Sequence, residues 1–469
     1  MKGAEFNMKR LTALMLLLIL LLTVSCASNG AVEVFDEDFN IEYTTDLGGI
    51  LFRWGSAWPQ QFDMTEGFSI MGDKMRARYR SVEAELNCKI EIVPWADGVG
   101  SLPAQVASGM PTLDLLDGHV YAAGYPLYKA GILLPVDSVP NMNGYDEKYG
   151  PIRFRQYGIF DGVLYGIYQY AWDFPPEFAC AMVFNTDMLI SLGLTLPYEY
   201  QENGNWTWSN CKDLLIASQD AAINANYDSK FVPMVSLDLA KDALGFMFVN
   251  GCQVIEKNSN GNYFWGLDNA AGIEALEFLR DLYAENLYRG GTSNMFTSQQ
   301  AAFMVGESYY ATHYTESSAY LPGSNIVYGF INYPYGPHGD STCVSAFVHR
   351  VRRMNWIIGF SGNSIDDIGM IIDRLFEPID DTEGWKGSLE RNIFFDIRDF
   401  ENYKYMVENI NYRHDSDLGE KASSLMDDAF TKAISGSKSA AEAFDSVRNA
   451  VNEAIAENVN WVLEDLENR

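Results

Sequence analysis

Planar aromatic side chains stand beside carboxylates and other polar groups at several places in this sequence. An aromatic ring can stack on the apolar C–H face of a ligand, while a neighbouring carboxylate or imidazole forms hydrogen bonds with the ligand's hydroxyl groups. A carbohydrate offers both kinds of surface, so the pattern favours carbohydrate binding. The candidate ligand-binding residues are Trp54, Trp58, Asp117, His119, Tyr170, Trp172, Asp173, Glu307, Tyr309, Tyr310 and Trp356.

Two other interpretations use some of the same residues. A tryptophan in a protein of this size can pack in a core, and Asp117 can cap the helix that follows it. A glycoside hydrolase would need two carboxylates as acid and base, and Asp117 and Glu307 could take those roles. The sequence carries no nucleophile elbow, metal motif or phosphate-binding loop. We therefore expect a binding protein rather than an enzyme, with no cofactor.

The charge of the chain restricts its partners. Lys and Arg total 33 against 63 Asp and Glu, a net charge of −30 that disfavours nucleic acid. A non-sugar solute such as a peptide, polyamine or uronate stays open, because Arg53, Arg153 or Arg155 could reverse the field locally.

The cysteines and histidines do not form a recognisable metal or disulfide pattern. Five cysteines follow Cys26 without metal-ligand spacing, and we expect buried thiols, with one disulfide left open. The histidines are also dispersed, so no metal site is expected.

The N-terminal residues have the order of an export signal. The stretch LLLILLLTVSC at 16–26 belongs to an apolar run at 11–24, which is shorter than the roughly 20 residues that span a bilayer. It follows Lys9 and Arg10 and precedes small residues, as in a secretory signal. The stretch 23–26 resembles the lipobox of bacterial lipoproteins, with Thr23 where Leu, Val or Ile is usual. This predicts acylation of Cys26, with ordinary signal cleavage as the alternative.

Strand and helix patterns alternate from residue 48 onward. Residues 48–55 and CKIEIVPW predict strands on either side of a helix at 68–87, and PAQVASG then predicts a helix before the strand LDLLDGH. This order predicts a mostly parallel sheet covered by helices. Ligands bind beyond the carboxyl ends of such strands, where Asp117 and His119 lie.

The rest of the chain adds a hairpin and a helical C-terminal part. Residues 158–171 predict a hairpin that turns at Asp161-Gly162, and Thr207 is predicted to cap a helix. Near the C-terminus, one helix ends at a glycine and the next begins with a capping box from Ser439 to Glu442.

Several stretches in this order resemble the extracellular solute-binding proteins of ABC importers, in the sugar-binding group that includes the maltose-binding protein. They run from about residue 45 to the C-terminus. The stretches are SGMPTLDLLDGH, DGVLYGIYQYAWDFPPEFACAMVFNTDMLISLGL, NWTWSNCKDLL, FTSQQAAFMVGESYY and SGSKSAAEAFDSV.

The resemblance implies a fold and a function. The expected fold is α/β, a two-lobed periplasmic-binding-protein-like fold with a hinge, an interlobe cleft and a helical C-terminal part. It places hinge crossings near 165–172 and 356–362 and a stacking aromatic at about Tyr309. The expected protein is a lipid-anchored monomer on the extracytoplasmic face of the membrane that delivers a carbohydrate, expected to be an oligosaccharide, to an ABC permease.

The expected division of the chain follows from the same resemblance. It comprises a signal peptide at 1–25, a lipid-anchored tether at 26–44, lobe 1 at 45–168, lobe 2 at 169–357, a return to lobe 1 at 358–400, and C-terminal helices mainly of lobe 2 at 401–469.

Overall fold

The computed structural model describes most of the chain after the predicted tether. The described residues are 45–62, 66–67, 70–96, 98–110, 112–150, 152–169, 172, 175–227, 230–313, 320–348, 353–379, 384–412 and 415–458. The predicted signal peptide, Cys26 and the tether lie outside them. Within these ranges, no helix is both long and apolar enough to cross a membrane.

Most strands belong to two five-stranded sheets. The first sheet has the order β2-β1-β3-β14-β6, and the second has the order β11-β8-β12-β7-β13. Short pairs β4-β5 and β9-β10 complete the set. The strands are β1 (Ile50–Ser56), β2 (Cys88–Pro94), β3 (Leu115–His119), β4 (Ile159–Phe160), β5 (Val163–Leu164), β6 (Gly166–Ile167), β7 (Ala181–Asn185), β8 (Val232–Ser236), β9 (Ile255–Lys257), β10 (Tyr263–Trp265), β11 (Tyr288–Gly290), β12 (Ala301–Gly306), β13 (Tyr328–Ile331) and β14 (Arg353–Ile357).

Helices connect and cover the sheets. They are α1 (Ile70–Leu86), α2 (Leu102–Ser108), α3 (Tyr125–Lys129), α4 (Ile152–Arg155), α5 (Thr186–Ser191), α6 (Pro197–Glu202), α7 (Trp208–Asn224), α8 (Leu239–Phe248), α9 (Ala270–Ala284), α10 (Ser293–Thr297), α11 (Tyr309–Thr312), α12 (Ile365–Leu375), α13 (Trp385–Ser388), α14 (Ile397–Glu408), α15 (Asp415–Ile434) and α16 (Ala440–Asn458).

Many of the predicted elements are confirmed. The strand, helix, strand order appears as β1, α1 and β2, and α2 ends at Gly109 with a positive φ of 68°. The β4-β5 hairpin turns at Asp161 and Gly162, both with positive φ, as a two-residue turn requires. Thr207 caps α7 by accepting a hydrogen bond from the Asn210 N–H.

The prediction of mostly parallel sheets is confirmed, with one reversed strand in each sheet. In each sheet three neighbouring strands are parallel, and the fourth strand pairs antiparallel with both of its neighbours. These reversed strands, β14 and β7, are the strands that the chain forms on arriving from the other sheet. A strand that enters from another lobe is not bound by the right-handed crossover that keeps consecutive strands parallel.

The chain passes between the sheets three times, which gives the two lobes. It leaves the first sheet after β6, returns between β13 and β14, and leaves again between α12, which packs on α1, and α14, which packs on β13. The predicted second crossing at 356–362 comes too late, because β14 already lies in the first sheet. The range 169–357 therefore ends with a strand of the first lobe.

The helical C-terminal part packs on the second lobe. Helices α15 and α16 pack against each other and against α9. The predicted capping box is present: the Ser439 N–H donates to Glu442 Oε2 at 2.8 Å, and the Glu442 N–H donates to Ser439 Oγ at 3.2 Å.

Helix α14 covers the edge strand β13, and its side chains make hydrogen bonds to the strand backbone that a sixth strand would otherwise make. The Phe330 N–H donates to Asp399 Oδ1 at 2.5 Å, and the Phe330 carbonyl accepts from Asn402 Nδ2 at 3.0 Å. Tyr198 OH also donates to Asp399. Unpaired edge groups invite pairing with another chain, and these contacts satisfy them. Burial raises the pKa of Asp399 to about 7.

We expect Asp399 to make the stability of the protein depend on pH. Its carboxyl takes up a proton in the folded state near pH 7, whereas an unfolded aspartate stays ionised until near pH 4. Lowering the pH from 7.5 to 5.0 should therefore stabilise the wild type relative to Asp399→Asn, by about 2 kcal/mol. Urea unfolding of both proteins at the two pH values measures this difference.

Asp396→Asn is the matched control on the same helix. A hydrogen bond from Arg398 lowers the pKa of Asp396, so this group stays ionised in both states over the same pH range. Its stability difference from wild type should not change between pH 7.5 and 5.0. An equal pH response of the two variants would contradict the assignment to Asp399.

Candidate functional site

An open crevice lies between the two lobes. Gln61, Phe62, Asp117 and Arg353 line it from the first lobe, and Thr312 and His313 line it from the second. Tyr168, Gln169, Pro175 and Glu177 of the connecting segment line its base. Asp117 is on β3 near its carboxyl end, and Gln61 and His313 follow β1 and β12. The crevice therefore lies where the fold is expected to bind ligands.

A buried ion pair dominates the first wall. Asp117 is 2 % exposed, accepts a hydrogen bond from Ser56 Oγ at 2.7 Å and pairs with the Arg353 guanidinium. Arg353 also donates to Gln61 Oε1 at 2.6 Å. Because a buried carboxylate is costly without a partner, this cation is part of the fold as well as of the crevice.

Trp58 and His119 lie beside this pair. The Arg353 guanidinium lies 4.3 Å from the centre of the Trp58 ring. The His119 ring meets the indole at 5.1 Å and an angle of 64°. The structure thus brings together three predicted residues, Trp58, Asp117 and His119, through an arginine that the sequence analysis did not single out.

The base of the crevice is tied to the core of the first lobe. Gln169 accepts from Asn355 Nδ2 at 2.7 Å, and Asn355 Oδ1 accepts from Trp54 Nε1 at 3.0 Å. Both Asn355 and Trp54 are fully buried. The predicted residues Tyr170 and Asp173 of this segment lie outside the described residues.

Stacked tyrosines stand beside the second wall. Tyr309 and Tyr310 have ring centroids 4.5 Å apart, and Tyr310 stacks on Tyr320 at 5.5 Å. We call these three residues the tyrosine cluster. Tyr320 reaches the crevice through His313, whose ring is 5.9 Å away. Burial raises the pKa of Tyr309, so its hydroxyl keeps its proton.

Glu307 is held by a cation at the end of β12. Its Oε1 lies 2.6 Å from Lys241 Nζ, and both side chains are 17 % exposed. Burial lowers the pKa of Lys241, but attraction by Glu307 and Asp238 outweighs it and leaves the pKa above its ordinary value. Glu307 and Asp117 are therefore each engaged by a cation, an arrangement unlike the free acid and base that a glycosidase needs.

Three of the predicted tryptophans are core residues. Trp54, Trp172 and Trp356 are 0 % exposed, and their indole N–H groups donate within the protein, to Asn355, Leu375 and Gly118 respectively. A Cβ on Gly124 or Gly166 would lie 2.3 or 2.6 Å from the Trp356 ring. These tryptophans present no free ring face to the crevice.

The arginines that could bind an anionic solute are engaged within the protein where their side chains are described. Arg155 is buried and donates to the carbonyls of Gly144, Asp146 and Gly150, while Arg53 pairs with Glu91 at 3.9 Å. The side chain of Arg153 is not among those described. No cluster of metal-ligating side chains occurs in the described ranges.

The described cysteines are free thiols, and four of the five are buried. Burial raises the pKa of Cys88 to about 11 and that of Cys211 and Cys252 to about 12, so these groups stay unreactive thiols. The expected buried thiols are thus present.

Comparison of the structure identifies its fold class. No protein-family model matches the sequence, and no curated protein matches it. The structure is similar to the GacH receptor of Streptomyces glaucescens, solved alone and with acarbose (TM-score 0.60, 13 % identity, 87 % of this chain and 99 % of that chain). It is also similar to the cyclic α-maltosyl-1,6-maltose binding protein of Arthrobacter globiformis (0.64, 13 %, 88 % and 100 %).

A third similar structure, UgpB of Mycobacterium tuberculosis, was solved with glycerophosphocholine (0.57, 11 %, 87 % and 99 %). These matches show that the chain has the two-lobed, periplasmic-binding-protein-like fold of ABC solute-binding proteins, as predicted.

We expect Trp356→Phe to lower the free energy of unfolding by about 1–3 kcal/mol, because it removes a buried hydrogen bond to Gly118 and leaves a void beside Gly124. Trp58→Phe is the matched control and should cost under about 1 kcal/mol, since a phenyl ring still lies beneath Arg353. Urea unfolding of both variants measures this. Equal costs would contradict the core assignment of Trp356.

Proposed function

We propose that the protein captures a carbohydrate in the crevice and delivers it to an ABC permease, and that this carbohydrate is an oligosaccharide. The observation that carries the proposal is the pairing of two unlike walls across one crevice. Asp117, Arg353 and Gln61 supply hydrogen-bonding groups on one side, and the tyrosine cluster adjoins the other through His313. Hydroxyl edges suit the first wall and apolar sugar faces suit the tyrosines.

The similar structures support a sugar over other solutes. Two of the three were described with acarbose or named for a cyclic maltosyl sugar, and a further one was solved with cycloalternan. Each belongs to another protein with low identity to this chain. Together with the crevice chemistry, they support an oligosaccharide as the proposed ligand.

Binding would close the lobes over the ligand. The three crossings form a hinge of the kind about which two-lobed binding proteins rotate. A ligand favours the closed state only through contacts that the open state does not offer, so both walls must meet it. The ligand leaves chemically unchanged in this proposal, because both candidate acid–base carboxylates are already paired with cations.

A cationic solute such as a polyamine is the second candidate. Glu177 lines the crevice. Burial raises the pKa of Tyr320, and the charges of Tyr310 and Glu177 raise it further. An acid beside aromatic rings suits an ammonium group. The glycerophosphocholine of one similar structure carries such a group.

We expect a soluble form that begins at Ala27 to bind one sugar class. Intrinsic tryptophan fluorescence would be titrated with maltotriose, cellotriose, xylotriose and mannotriose, and with spermidine and glycerophosphocholine. Tyr309→Ala should weaken the binding of the preferred sugar about 10-fold, the usual value of one stacked ring. Tyr227→Ala, which removes a ring that packs on Phe231 outside the crevice, should leave affinity unchanged.

Product analysis of each titrated sample separates the alternatives. Intact sugar supports a binding protein, and cleaved sugar would replace this proposal with a hydrolase. Saturation by spermidine or glycerophosphocholine alone would favour the cationic class. Equal losses in the two tyrosine variants would remove the tyrosine cluster from the site.

We also propose that acylation of Cys26 holds the protein, as a monomer, at the extracytoplasmic face of the membrane. The full chain expressed in a bacterium should incorporate radiolabelled palmitate and sediment with membranes. Cys26→Ser should lose both the label and the membrane association, because a thioether to lipid needs the cysteine sulfur. Ser25→Ala is the matched control. Label retained by Cys26→Ser would show that another residue is acylated.

A further inference from the structure

Arg353 occupies a position at which a ligand would stack. Its guanidinium lies 4.3 Å from the centre of the Trp58 ring and 5.6 Å from that of Phe62. The distance to Trp58 is that of a stacked pair, which is also how a sugar ring would sit on an indole. Trp58 is the only predicted tryptophan in the described residues that is not fully buried. The group that lies on the ring of this tryptophan is therefore Arg353, a residue of the same lobe.

The arginine is fixed in this position from three sides. Its Nε lies 3.2 and 3.1 Å from the two Asp117 oxygens, its Nη2 pairs with Asp117, and its Nη1 donates to Gln61. Backbone pairing of Arg353 with His119 in the first sheet sets where the side chain begins. A side chain held by a buried carboxylate and a strand register does not swing aside at low cost.

The contacts with described residues leave part of the guanidinium for the crevice. They use three of the five N–H groups of an arginine, and the side chain is 20 % exposed. Arg353 lines the crevice, so its remaining N–H groups are available to oxygen atoms of a bound molecule.

We infer that Arg353 is the specificity-determining residue of the first lobe: its guanidinium closes the face of Trp58 to sugar stacking and itself donates hydrogen bonds to the ligand. The hydrogen bonds to the ligand rest on the proposed function. The cover, by which we mean the Arg353 guanidinium lying on the Trp58 ring, does not rest on it. It assigns stacking to the second lobe and hydrogen bonding to the first. The site then orients a sugar with its hydroxyl edge toward β3 and β14.

A measurement without any ligand tests the cover. Acrylamide quenching would be compared between wild type and Arg353→Gln/Asp117→Asn, which removes both charges together so that neither is left buried alone. The same two proteins would also be made with Trp58→Phe. Subtracting their quenching from that of the proteins with Trp58 isolates the signal of Trp58. The quenching constant of Trp58 should rise about two-fold when the guanidinium is removed. No rise would overturn the cover. Arg353→Lys, which keeps a charge beside Asp117, repeats the test if the double variant fails to fold.

The ligand contact is tested with whichever of maltotriose, cellotriose, xylotriose and mannotriose binds the wild type. Arg353→Lys should weaken binding about 10-fold, because lysine keeps the charge beside Asp117 but lacks the planar fork. Trp58→Phe should stay within about 3-fold of wild type. An unaltered affinity in Arg353→Lys, or a 10-fold loss in Trp58→Phe, would overturn the inference.

The two proposals fail in different ways. If none of the four sugars binds, the proposed function fails, and the quenching measurement alone decides whether Arg353 covers Trp58. If a sugar binds and Tyr309→Ala weakens it while Arg353→Lys does not, the proposed function stands and this inference fails.

Discussion

The register of β14 against β3 is the constraint on which the rest of the first lobe depends. Antiparallel pairing sets Arg353 opposite His119, Asn355 opposite Asp117 and Trp356 opposite Leu116. Alternation along the strand then sends Arg353 and Asn355 to one face and Met354 and Trp356 to the other. A slip of one residue would place the tryptophan among polar partners and the arginine in the core. The Gly118 carbonyl, which accepts from Trp356, fixes that choice.

The two sheets are built by the same exchange of chain. In each, the arriving strand inserts antiparallel between the parallel strands and the strand from which the chain departs: β14 lies between β3 and β6, and β7 lies between β12 and β13. Each lobe therefore contains a strand whose preceding strand along the chain belongs to the other lobe. One hydrophobic cluster continues through both, from Trp356 of the first sheet to Phe330 of the second. The hinge is thus a packed region, and it brings the carboxyl ends of the strands of both sheets to the crevice.

The sequence predicts local structure better than it predicts exposure. The turn at Asp161-Gly162, the Thr207 cap and the Ser439 capping box depend on neighbours in the chain, and each is present. Central strand β8 was not predicted, and it contains Pro233, which lacks a donor and argues against a central strand. Tryptophan is common both in ligand-binding sites and in hydrophobic cores, so its presence alone does not separate the two. This is why the sequence suggests ligand contacts for Trp54, Trp172 and Trp356. Their burial depends on Asn355, Leu375 and Gly118, which are distant in sequence.

Dependence on residues that are distant in sequence also explains why the sequence does not single out Arg353. Net charge says little about the ligand for a different reason, which is the screening of exposed charges. An arginine at the start of a strand has no local signature, and its partner Asp117 lies far away along the chain. With a net charge of −30, the chain as a whole repels anions. Salt screens exposed charges beyond about 10 Å, however, so groups inside the crevice decide what binds there. The carboxylates Asp117 and Glu307 each have a cation as partner, which neutralises much of the charge that these two groups carry. Selection must then depend on the direction of hydrogen bonds and the planes of rings, the features by which one neutral sugar differs from another.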